Sequence, residues 1–476
     1  MKNYSSLAAA LLVTGCAGIS SQRAELGDYR EASLPDAPNE WAVTLPAPAA
    51  ESDWIAQFSS GVLAELIEEA MQANPDVASA VATADAARAG YRAARGRALP
   101  SVTGGSENSY SGLVEEFDQG TEAYSLGITA SWEPDLWGRV SRRVRAADAD
   151  YIASNADLSA IRLSITGATA RAWISLVNAR AQLILTQDEL RVRQNSAQVT
   201  ERRLSAGVAT ALDVRLARSA VASTRASIAS AEQSVSDAAR SLEILLGRYP
   251  AAAVESPDVP PQLDAMVDLS NPTDLLARRP DIAAAEARMA AAGMRAELAR
   301  LALLPSLSIG GSTTFSSDEI ADLIDVEQLA GRVFANLTAP IFNGGALKAD
   351  AEAAIARARA SISDYAGVVL NAWREVEAAR AADISLEKQE IALAEALTEA
   401  EAAETLAERQ YQRGLITIFN LIDAQTRRIS AERQLLNVRA NRAANRINYH
   451  IALGGGALPL ADLPNADMST EGSTAP

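Results

Sequence analysis

The groups best suited to covalent or metal chemistry are scarce in this 476-residue chain, which has a single thiol, Cys16, and a single imidazole, His450. A Ser-His-Asp triad or a multi-histidine metal site is not credible with one histidine per chain. The phosphate-binding pattern GxxxxGK[ST] and the nucleophile pattern GxSxG do not occur. We therefore expect a protein that is not an enzyme and has no cofactor, catalytic residue or metal site.

Cys16 lies where a lipid is attached in bacterial lipoproteins. Lys2 and the short apolar run Leu7–Val13 precede Val13-Thr14-Gly15-Cys16, and the run is typical of a secretory signal but too short to span a bilayer. The tetrapeptide resembles a lipobox, which predicts a signal peptide at 1–15, a lipid on Cys16 and an extended segment over 16–52. The alternative is an unmodified cysteine in a signal peptide that is cut elsewhere. A single cysteine also excludes disulfides within the chain.

Several short phrases occur twice at nearly constant spacing. The pairs lie 205 to 207 residues apart and are NPDV (74–77) and RPDI (279–282), LPS (99–101 and 304–306), PDLWG (134–138) and PIFNG (340–344), Gly207 and Gly414, and LLG (245–247) and ALG (452–454). This order indicates a tandem duplication. We place the first repeat at 53–250, a linker at 251–270, the second repeat at 271–456 and a flexible acidic tail at 457–476.

Each repeat reads as helix, strand, strand, long helix, turn and helix. In the first repeat, residues Ala123–Trp132 alternate strictly between apolar and small polar side chains. In the second, SLSIGG (306–311) alternates, and Val333, Ala335, Leu337, Ala339 and Ile341 share one face of a further strand. Such strands suit a membrane β-barrel, although a half-buried soluble sheet alternates in the same way. Four strands cannot close a barrel, so membrane insertion would require several copies of the chain.

The predicted long helices carry a seven-residue repeat. No proline occurs over Arg139–Ser205, and apolar residues recur every seventh position at Leu176, Leu183, Leu190, Ala197 and Leu204, and again at Leu386, Leu393, Ala400 and Ala407. This period predicts coiled-coil packing. A helix of about 65 residues is roughly 100 Å long, and shorter helices are expected at Val62–Ala98 and Thr210–Leu246.

Each long helix is followed by a glycine turn. Gly207 and Gly414 supply the left-handed conformation that ends a helix. Thr210 and Thr417, three residues later, are suited to cap the returning helices. The net charge of −17 argues against a nucleic-acid partner, because no basic surface would replace the counterions of phosphates.

Five blocks of sequence resemble the TolC-like outer-membrane efflux channels, in particular the lipoprotein branch that works with RND-type pumps. The blocks are DWIAQFSSGVLAELI (53–67), WEPDLWGR (132–139), LLARRPDIAAAEARM (275–289), LLPSLSIGG (303–311) and HIALGGG (450–456). The resemblance implies a mainly α-helical fold with a small β part. In a homotrimer, twelve strands would form one outer-membrane β-barrel, and the coiled-coil helices would form an α-barrel extending into the periplasm of a Gram-negative bacterium.

The function implied by the resemblance is passive conduction. The chain would be the outer-membrane channel of a tripartite efflux system, taking drugs or other small toxic compounds from an inner-membrane pump and a periplasmic adaptor protein. Export of proteins by a type I system, or of heavy-metal cations, remains an alternative within the class. A structural coiled-coil lipoprotein spacer is the alternative from another class, although it would leave the paired strands unexplained.

The resemblance also assigns roles near the turns. Acidic residues after the turn form a constricting ring in related channels, and Asp213 and Asp423 match them, with Asn420 in place of a carboxylate. Asp213 has capping-box spacing from Thr210 as an alternative role, and Arg427 and Arg428 are candidate partners of the acids. The turns themselves, with Gly207, Gly414, Thr210 and Thr417, are expected to contact the adaptor. Trp132 and Trp137 are expected where barrel and helices meet.

Overall fold

The structure, a computed structural model, describes residues 22–45, 54–55, 58, 61–112, 120–261, 263, 266–268 and 271–455. Cys16, the predicted signal peptide and the predicted tail lie outside these residues. The chain forms two compact units. Unit 1 contains the described residues of Met1–Asp36, Ala82–Asp157 and Asp281–Val369, and unit 2 those of Ala37–Val81, Leu158–Pro280 and Leu370–Pro476.

After helix α1, the described helices and strands follow the same order in both halves of the chain. The helices are α1 (22–33), α2 (Gly61–Ala73), α3 (Pro75–Gly96), α4 (Arg139–Ser205), α5 (Ala211–Leu245), α6 (Pro272–Arg278), α7 (Pro280–Leu301), α8 (Ala346–Gln412) and α9 (Ile418–Ala452). The strands are β1 (Ser101–Ser111), β2 (Thr121–Trp132), β3 (Ser306–Ser317) and β4 (Leu329–Thr338). The two long helices both have 67 residues, and the two returning helices both have 35.

The long helix predicted at Arg139–Ser205 is confirmed, and its heptad repeat is buried over part of its length. Leu176 and Ala197 are buried, Leu183 and Leu190 are half-buried, and Leu204 near the turn is exposed. Leu176 belongs to the main core of unit 2, which also contains Trp54, Phe58, Leu63, Trp173 and Ile447.

The single helix expected at Val62–Ala98 is wrong, because the chain breaks at Asn74. The Asn74 side chain accepts hydrogen bonds from the N–H groups of Asp76 (2.8 Å) and Val77 (3.3 Å) and thereby caps α3. Its amide nitrogen also donates to the carbonyl oxygen of Leu245, at 2.8 Å, where α5 ends. Pro75 begins α3, a position that needs no N–H donor.

The second repeat makes the same connection with a different side chain. Arg279, which precedes Pro280, donates through Nη1 to the carbonyl oxygen of Ala452 (2.9 Å) and to Glu375 (2.8 Å). Ala452 ends α9 as Leu245 ends α5. The repeated phrases NPD and RPD therefore attach the start of one helix to the end of the returning helix in the same repeat.

Gly247 follows α5 in a left-handed conformation, with φ of +68°. A Cβ atom at this position would lie 2.4 Å from the carbonyl oxygen of Ala73, a distance that no side chain tolerates. Gly454, the matching residue after α9, has φ of +91° and approaches the carbonyl oxygen of Arg278 in the same way. Both glycines permit helix ends to lie close together.

The four strands of unit 1 form one antiparallel sheet in the order β1-β2-β3-β4. Its register places Leu126 and Ile128 of β2 on the same face as Phe315 of β3 and Val333 and Leu337 of β4. Strand β4 ends at Thr338, so Ala339 and Ile341, which we predicted within it, lie beyond it. Pro340 has no N–H to continue the ladder.

Two tryptophans form hydrogen bonds at the end of the sheet that adjoins the helices. Trp132 ends β2, and its indole N–H donates to the carbonyl oxygen of Ala98 at 3.0 Å. The indole N–H of Trp137 donates to the carbonyl oxygen of Pro305, just before β3. Both residues thus lie between the strands and the helices, as predicted.

The segment after Cys16 is not extended throughout, because residues 22–33 form helix α1. Its Ala, Glu, Arg and Leu residues favour a helix, and Pro35 stands just after it. Arg23 pairs with Glu297 of α7, and Tyr29 shares a hydrogen bond of 3.0 Å with Ser363 of α8. Among the described residues, no helix is both long and apolar enough to cross a membrane.

Candidate functional site at the two helix hairpins

Both hairpin turns of unit 2 have the same backbone conformation. Gly207 and Gly414 each have φ of +77°. The N–H of Val208 donates to the carbonyl oxygen of Arg203, and that of Leu415 donates to the carbonyl oxygen of Gln410, both at 2.9 Å. These bonds define Schellman turns, in which glycine avoids the cost of a positive φ. The prediction that the two glycines end the long helices is confirmed.

The side chains after the turns cap the returning helices. Asp213 Oδ2 accepts from the N–H of Thr210 (2.8 Å) and from its hydroxyl (2.9 Å), and the Thr210 hydroxyl accepts from the N–H of Asp213. In the second hairpin, Asn420 Oδ1 accepts from the hydroxyl (2.7 Å) and the N–H (3.4 Å) of Thr417. Asn420 is therefore the structural counterpart of Asp213, a role that its spacing of three residues from Thr417 would have indicated.

Asp423 is not used in capping. Its side chain is half exposed and pairs with Arg427, one turn later, at 2.8 Å. The predicted pairing with Arg427 is therefore confirmed, whereas that with Arg428 is wrong. Arg428 is mostly buried and pairs with Glu404 of α8 and with Glu432, one turn later on α9, because the inward face of α9 meets Glu404.

Arg203 and Tyr411 connect the two hairpins, a contact that we did not predict. Arg203 Nη1 donates to the carbonyl oxygens of Tyr411 (2.5 Å) and Gln412 (3.2 Å), and the guanidinium lies 4.8 Å from the centre of the Tyr411 ring. The Tyr411 hydroxyl shares a hydrogen bond of 2.8 Å with Thr200. Tyr411 and Thr200 are buried, so these bonds are shielded from water and stabilise the pairing of the hairpins.

A buried polar layer lies further along the same helices. Arg193 of α4 donates to the Gln425 side chain at 3.1 Å and to the Thr426 hydroxyl at 2.9 Å, both on α9. Gln425 in turn donates to the Ser196 hydroxyl at 2.9 Å. Arg193, Ser196 and Gln425 are all buried. A buried layer of this kind fixes the register of the two helices, since any slip would leave polar groups unpaired.

Two acids near Arg428, Glu408 and Glu432, lie in surroundings that disfavour their negative charge. Burial, together with the negative charge of Glu404, raises the pKa of Glu408 above its ordinary value, and Arg428 opposes this shift. Burial likewise raises the pKa of Glu432, against the effect of Arg428. The ionised form of both carboxyls is therefore disfavoured in the folded chain.

Large apolar side chains surround the turns and remain exposed. Val208 is 61% exposed, Leu212 66%, Leu415 69% and Phe419 69%. Residues of this size are rarely clustered on a surface that contacts only water. The hairpin ends therefore form an apolar surface next to the capped helix starts. Across the described residues, no group of three or more His, Cys, Asp or Glu side chains is arranged to hold a metal ion.

Comparison with known proteins defines the class. The family model described as outer membrane efflux protein matches residues 66–248 and 271–455. The two matched segments begin 205 residues apart and end 207 residues apart, as the duplication predicts. The chain belongs to the outer membrane efflux protein family. It is a channel-family protein of the outer membrane and not an enzyme, as predicted.

Individual relatives match over nearly the whole chain. The pyoverdine export outer membrane protein OpmQ of Pseudomonas aeruginosa is 30% identical, with 96% of this chain and 97% of the relative covered. The cation efflux system protein CusC of Escherichia coli K12 is 28% identical, with 94% and 98% covered.

Solved structures agree with the fold. The outer-membrane channel OprN superposes with a TM-score of 0.82 at 27% identity, covering 89% of this chain and 98% of that structure. A structure of CusC has a TM-score of 0.79 at 27% identity, covering 89% and 99%. The mainly helical TolC-like fold with four antiparallel strands, predicted from the sequence, is confirmed.

Proposed function

We propose that three copies of this chain form the outer-membrane channel of a tripartite efflux system, through which small toxic compounds pass without chemical change. The observation that carries the proposal is the sheet of unit 1, in which the outer strands β1 and β4 each have one edge that pairs with no other strand of the described residues. Val333 is 87% exposed and Leu337 68% exposed on its apolar face. A four-stranded sheet in lipid needs further strands, and three copies supply twelve.

The internal duplication supports a definite pairing between copies. Within the chain, β2 of the first repeat pairs with β3 of the second, with Trp132 opposite Ile309. Ser101 pairs with Ser131 at one end of the β1–β2 ladder, and Ser306 pairs with Thr338 at the same end of the β3–β4 ladder. Ser306 is therefore the counterpart of Ser101, and Thr338 is the counterpart of Ser131. If β4 of one copy pairs with β1 of a second copy in the register that β2 and β3 have within a chain, Leu337 of β4 lies opposite Ser106 of β1. This register keeps the apolar faces of both strands on the same side.

The hairpin ends are the proposed contact with the periplasmic adaptor protein. Val208, Leu212, Leu415 and Phe419 form the apolar surface described above, and association with a partner would remove it from water. The adaptor would connect the channel to an inner-membrane RND-type pump, which supplies the energy. Cys16 is the proposed lipid attachment site that anchors each copy to the outer membrane.

Asp423 is the proposed periplasmic gate residue. Its carboxylate is half exposed and pairs with Arg427, so three copies would present a ring of charged groups. Asp213 and Asn420 contribute through the capped turns that position α5 and α9. Their hydrogen bonds to Thr210 and Thr417 support a positioning role beside the ring.

The direct test is conductance together with export. The purified trimer in a planar bilayer should pass current, and deletion of the gene should sensitise the bacterium to toxic compounds. A folded chain that stayed monomeric and carried no current would refute the proposal. Sensitivity to metal cations alone would favour cation efflux, the function named for CusC, and loss of a secreted protein alone would favour type I secretion. A coiled-coil spacer would show neither conductance nor sensitivity.

A further inference from the structure

A cavity of about 640 Å³ lies in unit 1, where the sheet meets the helices. It is formed by the end of α3, the end of β2 and the start of α4, and six residues define its chemistry: Arg92, Arg95, Leu99, Trp132, Val144 and Arg145. Its volume is within the range of sites that bind small organic ligands. None of the roles assigned above uses it.

The cavity has an excess of positive charge. Its two carboxylates are already engaged, Glu133 by an ion pair with Arg139 and Asp135 by the N–H groups of Val140 (2.7 Å) and Ser141 (2.9 Å). Burial alone would raise the pKa of Asp135, but the hydrogen bonds from Ser141 and Val140 outweigh it and lower the pKa. Asp135 is therefore ionised and serves to cap α4.

The three arginines of the cavity are not neutralised by the chain. Among the described residues, Arg92, Arg95 and Arg145 form no ion pair, and the described contact of Arg95 is with the ring of Tyr91, 5.9 Å away. Three guanidinium groups on one cavity favour an anion with several oxygen atoms. A phosphate is one of the anions whose geometry matches such forked donors.

The remaining wall is apolar and belongs to one side of the sheet. Trp132 lies on the same face of β2 as Leu126 and Ile128. Its indole N–H is already bonded to Ala98, so its ring offers an apolar surface. Leu99, 66% exposed, lies on the same cavity. In the channel proposed above, this face of the sheet contacts lipid, and its helical end lies at the periplasmic surface of the membrane.

We propose that this cavity binds the phosphate headgroup of a phospholipid from the periplasmic leaflet of the outer membrane. Arg92, Arg95 and Arg145 hold the phosphate, and the first carbon atoms of the lipid lie against Trp132 and Leu99. Tryptophan at the membrane interface and basic pockets for lipid headgroups are both established features of membrane proteins. The inference rests on the proposed function, because only a membrane channel brings this face to lipid.

The test uses the full-length assembled protein, delipidated in detergent and titrated with phosphatidylglycerol, with bound lipid counted by native mass spectrometry. We expect saturable binding to the unsubstituted protein. Each of Arg92→Gln, Arg95→Gln and Arg145→Gln should weaken it about fivefold, and the triple variant about a hundredfold. The matched control removes three arginines from α5, Arg215→Gln, Arg218→Gln and Arg225→Gln, and should leave binding unchanged.

Two further measurements separate the possible results. Inorganic phosphate at millimolar concentration should not displace the lipid, and displacement would identify the cavity as a site for free phosphate and overturn the proposal. Conductance of the same preparation tests the channel function separately. If the triple variant conducts and binds lipid with the same affinity as the unsubstituted protein, the lipid site is refuted and the channel function is not. If the triple variant does not assemble, the single variants decide, and unchanged binding in all three overturns the inference.

Discussion

Arg203 of the first hairpin donates to the carbonyl oxygen of Tyr411 in the second, and its guanidinium also lies 4.8 Å from the centre of the Tyr411 ring. The two residues belong to the stretches RLSAG and YQRGL, which occupy matching places in the two repeats. The two repeats now carry different side chains at their turns, and Arg203 and Tyr411 bind each other.

Arg203→Ala should separate the ends of the two hairpins. Loss of a charged donor to two carbonyl oxygens is expected to cost about 2 kcal/mol of local stability. Hydrogen exchange of the amides around both turns should become faster, while exchange in unit 1 stays unchanged. Arg218→Ala is the matched control, because Arg218 pairs with Glu201 at an exposed position. Equal exchange in the two variants would contradict the role given to Arg203.

The register proposed between copies can be tested by disulfide formation. Leu337→Cys combined with Ser106→Cys, or Asn336→Cys with Glu107→Cys, should give chains cross-linked between copies upon oxidation. One of these adjacent pairs is not hydrogen-bonded, and its Cβ atoms are the closer ones. Within one chain the two positions are separated by two intervening strands, roughly 14 Å, which excludes an internal bond.

A shifted pair provides the control for this register. Leu337→Cys with Asn108→Cys places the two residues diagonally, about 7 to 8 Å apart, beyond the reach of a disulfide. Oxidation of each single-cysteine variant controls for cross-links that involve Cys16. Cross-linking of the shifted pair, with none in the expected pairs, would mean that the duplication does not transfer its register to the contact between copies.

The sequence predicts those features that depend on neighbouring residues along the chain. The proline-free heptad repeat predicts the long helix α4, alternation gives the face of β2, and Gly207 with Thr210 gives a turn and its cap. These signals are local, since each arises from backbone conformation or from capping within one turn of helix.

Features that depend on distant contacts were missed or wrong. The break at Asn74 is local, since its side chain caps α3 and Pro75 begins that helix, and only its bond to the carbonyl oxygen of Leu245 is distant. The pairing of Arg428 with Glu404 of α8 is also distant, and periodicity does not reveal it. Helix α1 forms where we expected an extended segment, and its contacts with α7 and α8 are equally distant in sequence. The cavity beside Trp132 combines three helix and strand ends, so no single stretch of sequence indicates it.

Asp423→Ala should make the channel leakier to ions in the absence of a pump. The ring of carboxylates would lose its charge, and single-channel recordings in a bilayer should show a larger open fraction. Arg427→Ala is the informative comparison, because it frees Asp423 from its ion pair but keeps the carboxylate. If the two variants leak equally, the ion pair of Asp423 and Arg427, and not the Asp423 carboxylate alone, restricts the entrance. Unchanged conductance in Asp423→Ala would exclude Asp423 as a gate residue.

Glu408→Gln should stabilise the hairpins at neutral pH. Burial and Glu404 raise the pKa of Glu408 in the folded chain, so the folded state binds its proton more tightly than the unfolded state does. Ionisation therefore destabilises the fold above the folded pKa, and this penalty disappears as the pH falls towards the unfolded value. The melting temperature of the variant should exceed that of the unsubstituted protein at pH 7.5 and converge with it towards pH 4.5. Glu399→Gln, at an exposed position of the same helix, should show no such convergence.

Gly247→Ala should be among the most destabilising single substitutions in unit 2. The residue has φ of +68°, and an added Cβ would lie 2.4 Å from the carbonyl oxygen of Ala73. The left-handed strain and the displaced helix end together should cost about 3 kcal/mol. Gly90→Ala is the control, because Gly90 lies within α3 and its Cβ would meet nothing within 4 Å. This second change should stabilise the protein by about 0.5 to 1 kcal/mol through helix propensity. Chemical denaturation of the two variants gives the comparison, and equal midpoints would contradict the close approach of α2 to the end of α5.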